Sequence, residues 1–486
     1  MNTIRLVPFL SIFSILVGCG SAPEYFADAY CLTNINVLDM EKGFLPNRTV
    51  VISQDRIQQI IPSEEINLSD QNTIIDGEGQ YLIPGLWDAH VHFAFMDSLA
   101  PYMFDLFLGY GITSVRDTGG EIGFVKQWQE EANANLSTAP RVMIAGPLLD
   151  GLPNVYDGSD PLRPPLSKGL ASPADVASYI SFLDSLDVDL LKAYEMLTPE
   201  QFETVTSSAR ERGLKVTGHV PLSMDVISAS NAGLNSMEHM RNLELSCASN
   251  ADELLELRRE MLLAGRDDLG GVLRSRIHDA QRKMAIANYD ENKADEVLTV
   301  LKQNDTWQIP TLALSTGAVK RPFAKETFQT SFDYLPASIK SLWLQSIENF
   351  GAIEPTAFQK EYASWMFNMV KKVYDKEIPI MAGTDCPIFF LTPGRSLHTE
   401  LETLVDAGID PLEAIKMATV NPAVYFNLES KLGTIETGKL ADLVILNKNP
   451  LEDIRNTLTI DAVIRNGTYL NRGTLDQMLL PDEEAI

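Results

Sequence analysis

Strand-length apolar runs alternate with helical segments through the middle of this chain. Eight runs stand out, at about 86–92, 112–118, 141–149, 188–194, 215–220, 236–240, 307–312 and 378–385. Runs that are apolar on both faces suit parallel strands covered by helices, so eight βα units predict an α/β fold, a closed (β/α)8 TIM barrel over residues 84–427. Helix starts are explicit at Ser172-Pro173-Ala174-Asp175, Thr198-Pro199-Glu200-Gln201 and Asp410-Pro411-Leu412-Glu413, where a capping residue precedes a proline at the first helical position. Gly213 and Gly408 suit helix stops.

The two ends read differently. Short alternating stretches such as Cys31-Leu32-Thr33-Asn34-Ile35-Asn36-Val37 and Thr49-Val50-Val51-Ile52 fill 29–83, and similar ones fill 428–475, including Ala441 to Leu446 and Asp461 to Gly467. Two β pieces flanking an α/β region most simply pair into one composite β-sandwich domain. Two charged or aromatic helical insertions, 251–303 and 321–376, follow the sixth and seventh runs. Strand-end connections build the active face of a barrel, so these insertions either cover a substrate or pack on the barrel outside it.

Composition narrows the classes. The 486 residues carry a net charge of -27, and that acidic balance argues against nucleic-acid partners and against electrostatic binding to an anionic membrane. Near the start, Arg5 precedes an apolar stretch from Leu6 to Val17 that is too short to span a bilayer comfortably. It ends in Leu16-Val17-Gly18-Cys19, which resembles the lipobox of bacterial lipoproteins. A signal peptide over 1–18, a lipidated Cys19 and a tether over 19–28 would make this an exported lipoprotein, held to a membrane by lipid only and facing the periplasm. The alternative is a secretory peptide cleaved nearby. Cys31, Cys247 and Cys386 are odd in number and far apart, so they define no disulfide framework and are expected to be buried thiols.

Candidate chemistry begins at Asp88-Ala89-His90-Val91-His92. Side chains alternate along a strand, so His90 and His92 share a side and can clasp one metal ion. Alone the pair says little. The C-terminal ends of the other runs add Lys192, His219, His239 and Asp385, so four of the chain's six histidines fall at strand ends.

Those residues carry a resemblance. Pro84-Gly85-Leu86-Trp87-Asp88-Ala89-His90-Val91-His92, Gly111-Ile112-Thr113-Ser114-Val115-Arg116-Asp117, Gly218-His219, Glu238-His239, Gly383-Thr384-Asp385 and the tail 433–444 resemble the metal-dependent amidohydrolase superfamily, in its imidazolonepropionase-like and Xaa-dipeptidase-like branch. The resemblance implies the barrel, the split β-sandwich and a hydrolytic site on divalent metal, usually zinc. By the same analogy His90, His92 and Asp385 hold one ion, His219 and His239 a second, and Lys192 carbamylated by CO2 bridges the two Zn2+. Asp385 is then the catalytic proton shuttle beside a metal-activated water. The rival is a mononuclear site of His90, His92, His219 and Asp385, with His239 bonding substrate.

Tyr194 shares a face with Lys192, where it either donates to a substrate carbonyl or oxyanion or packs at the barrel mouth. His398 is expected to pack or orient its loop, with a substrate contact as the alternative, Arg116-Asp117 to form an ion pair or Arg116 to meet a substrate carboxylate, and His278 to lie on the surface. The resemblance, together with export, points to amide C–N bonds of dipeptides or N-acyl amino acids. A cyclic amide is the alternative, although Phe93-Ala94-Phe95-Met96 stands where imidazolonepropionase has its arginine and tyrosine pattern. A non-catalytic binding module is the alternative from another class. Oligomeric state is not readable from the sequence.

Overall fold

The computed structural model describes residues 23–159 and 163–480; the expected signal peptide and Cys19 lie outside the described residues. The central strands are Leu86–Val91, Ile112–Asp117, Arg141–Ile144 continued by Leu148–Asp150, Leu190–Ala193, Lys215–Gly218, Ser236–Glu238 and Trp307–Ile309. Consecutive members pair in parallel, and the amide of Asp189 donates to Ile144 O at 3.0 Å to join the third to the fourth. The ring closes through 380–386, where Ile380 bridges Gln308 and Cys386 bridges Val91. This is the TIM barrel expected from the alternation of apolar runs.

Two runs depart from plain strands. The third breaks at Gly146, whose φ of +71° turns the chain between its halves. The eighth is held by bridges alone, because Asp385 takes a φ of +69° and its amide donates to His90 O at 2.7 Å. That turn swings the Asp385 carboxylate inward, so the irregularity belongs to the site.

Local chemistry accounts for the helix starts. Ser172, Thr198 and Asp410 each cap a helix through the side chain, and Thr198 with Gln201 forms a reciprocal capping box that satisfies orphan backbone donors. Strands from both chain ends join one sheet of eight strands. The meeting point is Tyr81–Pro84, which pairs antiparallel with Leu443–Leu446 and parallel with Ala29–Asp39. Leu32, Ile35, Val50, Ile52, Leu82, Leu443, Ile445 and Ile464 gather there in a buried apolar cluster separate from the barrel core. No helix among the described residues is long and apolar enough to cross a membrane. Cys31, Cys247 and Cys386 are free and buried.

Candidate metal centre

At the C-terminal mouth of the barrel, His90, His92, Lys192, His219, His239 and Asp385 line one cavity, with Tyr156, Tyr194, Arg241 and Arg274 around it. Two glycines explain why the strands come close enough. A Cβ at Gly218 would sit 2.3 Å from Ala193 O, and one at Gly383 would sit 2.9 Å from His90 Cβ. Both positions therefore require glycine just before His219 and Thr384-Asp385.

His90 Nε2 and His92 Nε2 are 3.3 Å apart, and Asp385 Oδ1 lies 3.2 Å from the first and 3.1 Å from the second. Asp385 Oδ1 nevertheless finds no hydrogen bond of acceptable geometry. These three ligand atoms lie within 4.8 Å of one another and form a set able to hold a metal ion. His239 Nε2 stands 3.7 Å from the other oxygen, Asp385 Oδ2, and the His219 and His239 rings are 4.9 Å apart.

Outer partners set the histidines' tautomers. His90 Nδ1 donates to Glu238 Oε2 at 2.5 Å, His92 Nδ1 to Gly119 O at 3.0 Å, and His219 Nδ1 to Glu195 Oε1 at 2.6 Å. His239 Nδ1 pairs with Thr311 Oγ1 at 2.6 Å. A carbonyl or carboxylate can only accept, so the Nε2 atoms of His90, His92 and His219 keep their lone pairs for a metal. Burial drives the His219 imidazole down to about 3 against the pull of Glu195, so it is neutral, as a ligand must be.

Lys192 is 1% exposed, and its Nζ has no hydrogen-bond partner among the described residues. Burial lowers its ammonium to about 8, with Glu238 opposing the shift. A structural lysine here would bury an unpaired amine among four histidines and a carboxylate. Glu195, three residues after Lys192, is engaged by His219, by Arg274 Nε at 3.0 Å and by His278 Nε2 at 2.7 Å.

Three expectations need correction. His278 is not on the surface: it is 5% exposed and bound to Glu195, because the insertion helix Gly270–Ala287 turns it toward the barrel. Arg116 does not pair with Asp117; Arg116 Nη2 meets Glu238 Oε1 at 2.7 Å, while Asp117 accepts from the amides of Phe93 and Gly119. Being wholly buried beneath the ligands, Arg116 is also out of reach of a substrate carboxylate. His398 orients its surroundings through Thr457 Oγ1 and Tyr110 O. The sequence reading missed Glu238, Arg241 and Arg274 as functional residues. Glu238 and Arg241 flank His239 and were readable from that adjacency, whereas Arg274 comes from a remote insertion with no motif. The first insertion thus reaches the site, while the second packs its Phe323 and Phe350 against Phe389.

Residues 344–470 match the model of the Amidohydrolase family. The chain therefore carries an amidohydrolase-family segment. The adenine deaminase of Roseobacter denitrificans is 32% identical over 99 residues, a match that covers 20% of this chain and only 16% of that relative's length. A Xaa-Pro dipeptidase solved with methionine in its active site superposes with a TM-score of 0.66 at 20% identity, covering 91% of this chain and 100% of that one. Bottromycin amidohydrolase superposes with a TM-score of 0.68 at 19% identity, covering 93% and 89%. These likenesses show a barrel joined to a sheet domain.

Proposed function

We propose that this chain is a metal-dependent hydrolase of amide-type C–N bonds, acting on dipeptides or N-acyl amino acids. The observation that carries the reading is the orphaned Lys192 Nζ, buried in a cavity ringed by four histidines and Asp385. His90, His92 and Asp385 would hold one divalent ion, and His219, His239 and a carbamylated Lys192 would supply the ligands for a second. When bound, the metal supplies the Lewis acidity that activates water and polarises the scissile carbonyl. Asp385, within 3.7 Å of three histidines, stands where one carboxylate can take a proton from the attacking water and pass it to the leaving amine. Burial holds the Tyr194 phenol well above its ordinary value, so it stays protonated and available to donate to the tetrahedral oxyanion. The dipeptidase and amidohydrolase names of the structural neighbours favour this substrate class over a purine.

Metal analysis of the purified chain should find close to two ions, and a panel of dipeptides, N-acyl amino acids, cyclic amides and adenine should show turnover confined to the first two classes. Lys192→Ala should lose activity and recover part of it with a short-chain carboxylic acid standing in for the carbamate. One tight metal and an indifferent Lys192 would sink the binuclear assignment. We further propose, from Leu16 to Cys19, that the chain is exported as a lipoprotein. Cys19→Ala should release it from the membrane fraction.

A further inference from the structure

Arg241 is a charged residue of the metal cavity to which the hydrolase reading gives no role. Its guanidinium lines the cavity with His239 and Lys192, and its buried Nε has no hydrogen-bond partner among the described residues. The nearest carboxylate, Glu195 Oε1, is 3.9 Å away and already accepts from His219 and Arg274. Arg274 is thus the close partner of Glu195, and Arg241, held only by a long ion pair, presents its guanidinium to the cavity a substrate must enter.

The backbone places it there deliberately. His239, Met240 and Asn242 have φ of +56°, +50° and +71°, three non-glycine residues in the left-handed region within four positions. Such strain persists only where neighbours hold it and gathers at ligand sites. The holding group is Asn242, whose Nδ2 donates to Val220 O at 2.8 Å and whose Oδ1 accepts from Arg258 Nη1 at 3.0 Å. Arg258 is itself buried and fixed by Gln281 at 2.7 Å. The turn therefore delivers His239 to the metal side and Arg241 to the substrate side together. The rest of the lining includes the apolar and aromatic side chains of Leu148, Tyr156, Leu166 and Ile388.

We propose that Arg241 is the receptor for a free carboxylate on the substrate, so that the site takes amides whose leaving amine belongs to an amino acid with an unblocked carboxyl group. A planar guanidinium recognises a carboxylate through paired N–H donors, and an apolar wall beside it accommodates an uncharged side chain. This specificity assignment rests on the hydrolase reading for its substrate class, but its test separates the two.

Calorimetry on the metal-loaded chain should compare the leaving amino acid L-methionine with L-methioninamide. The acid should bind about 10- to 100-fold more tightly, the worth of a charge-assisted pair. Arg241→Met should erase that difference, Arg241→Lys should keep part of it, and both should retain full metal content and a cooperative thermal melt. On substrates, the loss should fall on KM, with kcat changed less. Equal binding of acid and amide by the wild-type chain overturns the assignment without using a variant, as does failure to bind either probe. Metal loss in Arg241→Met with an unchanged acid preference also overturns it, pointing to the Lys192 carbamate as the arginine's partner. If dipeptides and their C-terminal amides are cleaved alike, the hydrolase reading stands and this assignment falls. If the acid binds through Arg241 but no amide is ever cleaved, the assignment stands and the hydrolase reading falls.

Discussion

A lysine with no partner is the sharpest feature at the scale of single residues. In metal-free chain the Lys192 ammonium is lowered from its ordinary value to about 8 by burial, so over the interval from about 8 to about 10.5 the unfolded chain holds a proton that the folded chain does not. Stability therefore rises with pH across that interval and carries its full penalty below it. Lys192→Met should stabilise the metal-free chain at pH 7 by on the order of 3 kcal/mol, and the gain should shrink above pH 8. Denaturant melts at several pH values measure this; a metal-free mutant no more stable than wild type at pH 7 would show that Lys192 is already compensated. Glu238 gives a second prediction at this scale, because its carboxylate both receives His90 Nδ1 and neutralises Arg116. Glu238→Gln should weaken metal binding by about 10- to 100-fold in a chelator competition. His90, His92, Lys192, His219, His239 and Asp385 were legible because strand ends of a barrel converge, so reading only those positions collects them. Arg116 was misjudged because adjacency suggested Asp117 as its partner, whereas alternation along a strand sends neighbours to opposite faces.

Elements decide what adjacency cannot. On the helix Gly270–Ala287, Arg274, His278 and Arg282 recur every fourth residue, and the first two close on Glu195 while Arg282 Nε meets Glu244 at 3.1 Å. Burial pushes the Glu195 carboxyl up, but Arg274 and His278 outweigh it and hold it well below the usual range. The helix thereby fixes the carboxylate that orients His219. Arg274→Met should leave that carboxylate short of its main cation, lower stability by about 3 kcal/mol and raise hydrogen exchange along 270–287 before the barrel strands. Exchange that stays unchanged in the helix would mean that packing alone holds it. The insertion 251–303 reads as helical and charged in the sequence, but which face it buries is not readable there, because its charged residues read as a solvated surface until a buried acid is found opposite them.

For the whole molecule, the question is what couples the sheet built from both chain ends to the barrel. Asp442 sits at the seam, 4% exposed, where it accepts from Arg465 Nη1 at 2.9 Å on the sheet side and from Arg141 Nη1 at 3.2 Å on the barrel side. Arg465 Nε also donates to Ala139 O at 2.8 Å, and the Gly85 amide donates to Asp442 O at 2.8 Å just before the first barrel strand. One carboxylate thus serves two cations that arrive from different structural units. Asp442→Asn keeps the shape but leaves two buried or half-buried guanidinium groups without a counter-charge, and breaking such a pair costs about 3–5 kcal/mol. The loss should be expressed at the seam, because both cores, each with its own apolar cluster, are untouched. The expected result is a lower thermal midpoint with the sheet melting ahead of the barrel, and with metal content and KM unchanged at low temperature. A midpoint within a degree of wild type would mean that the apolar contacts at the seam suffice. Loss of metal in a still-folded variant would mean instead that the seam transmits its geometry to His90 and His92 through the strand that begins at Leu86.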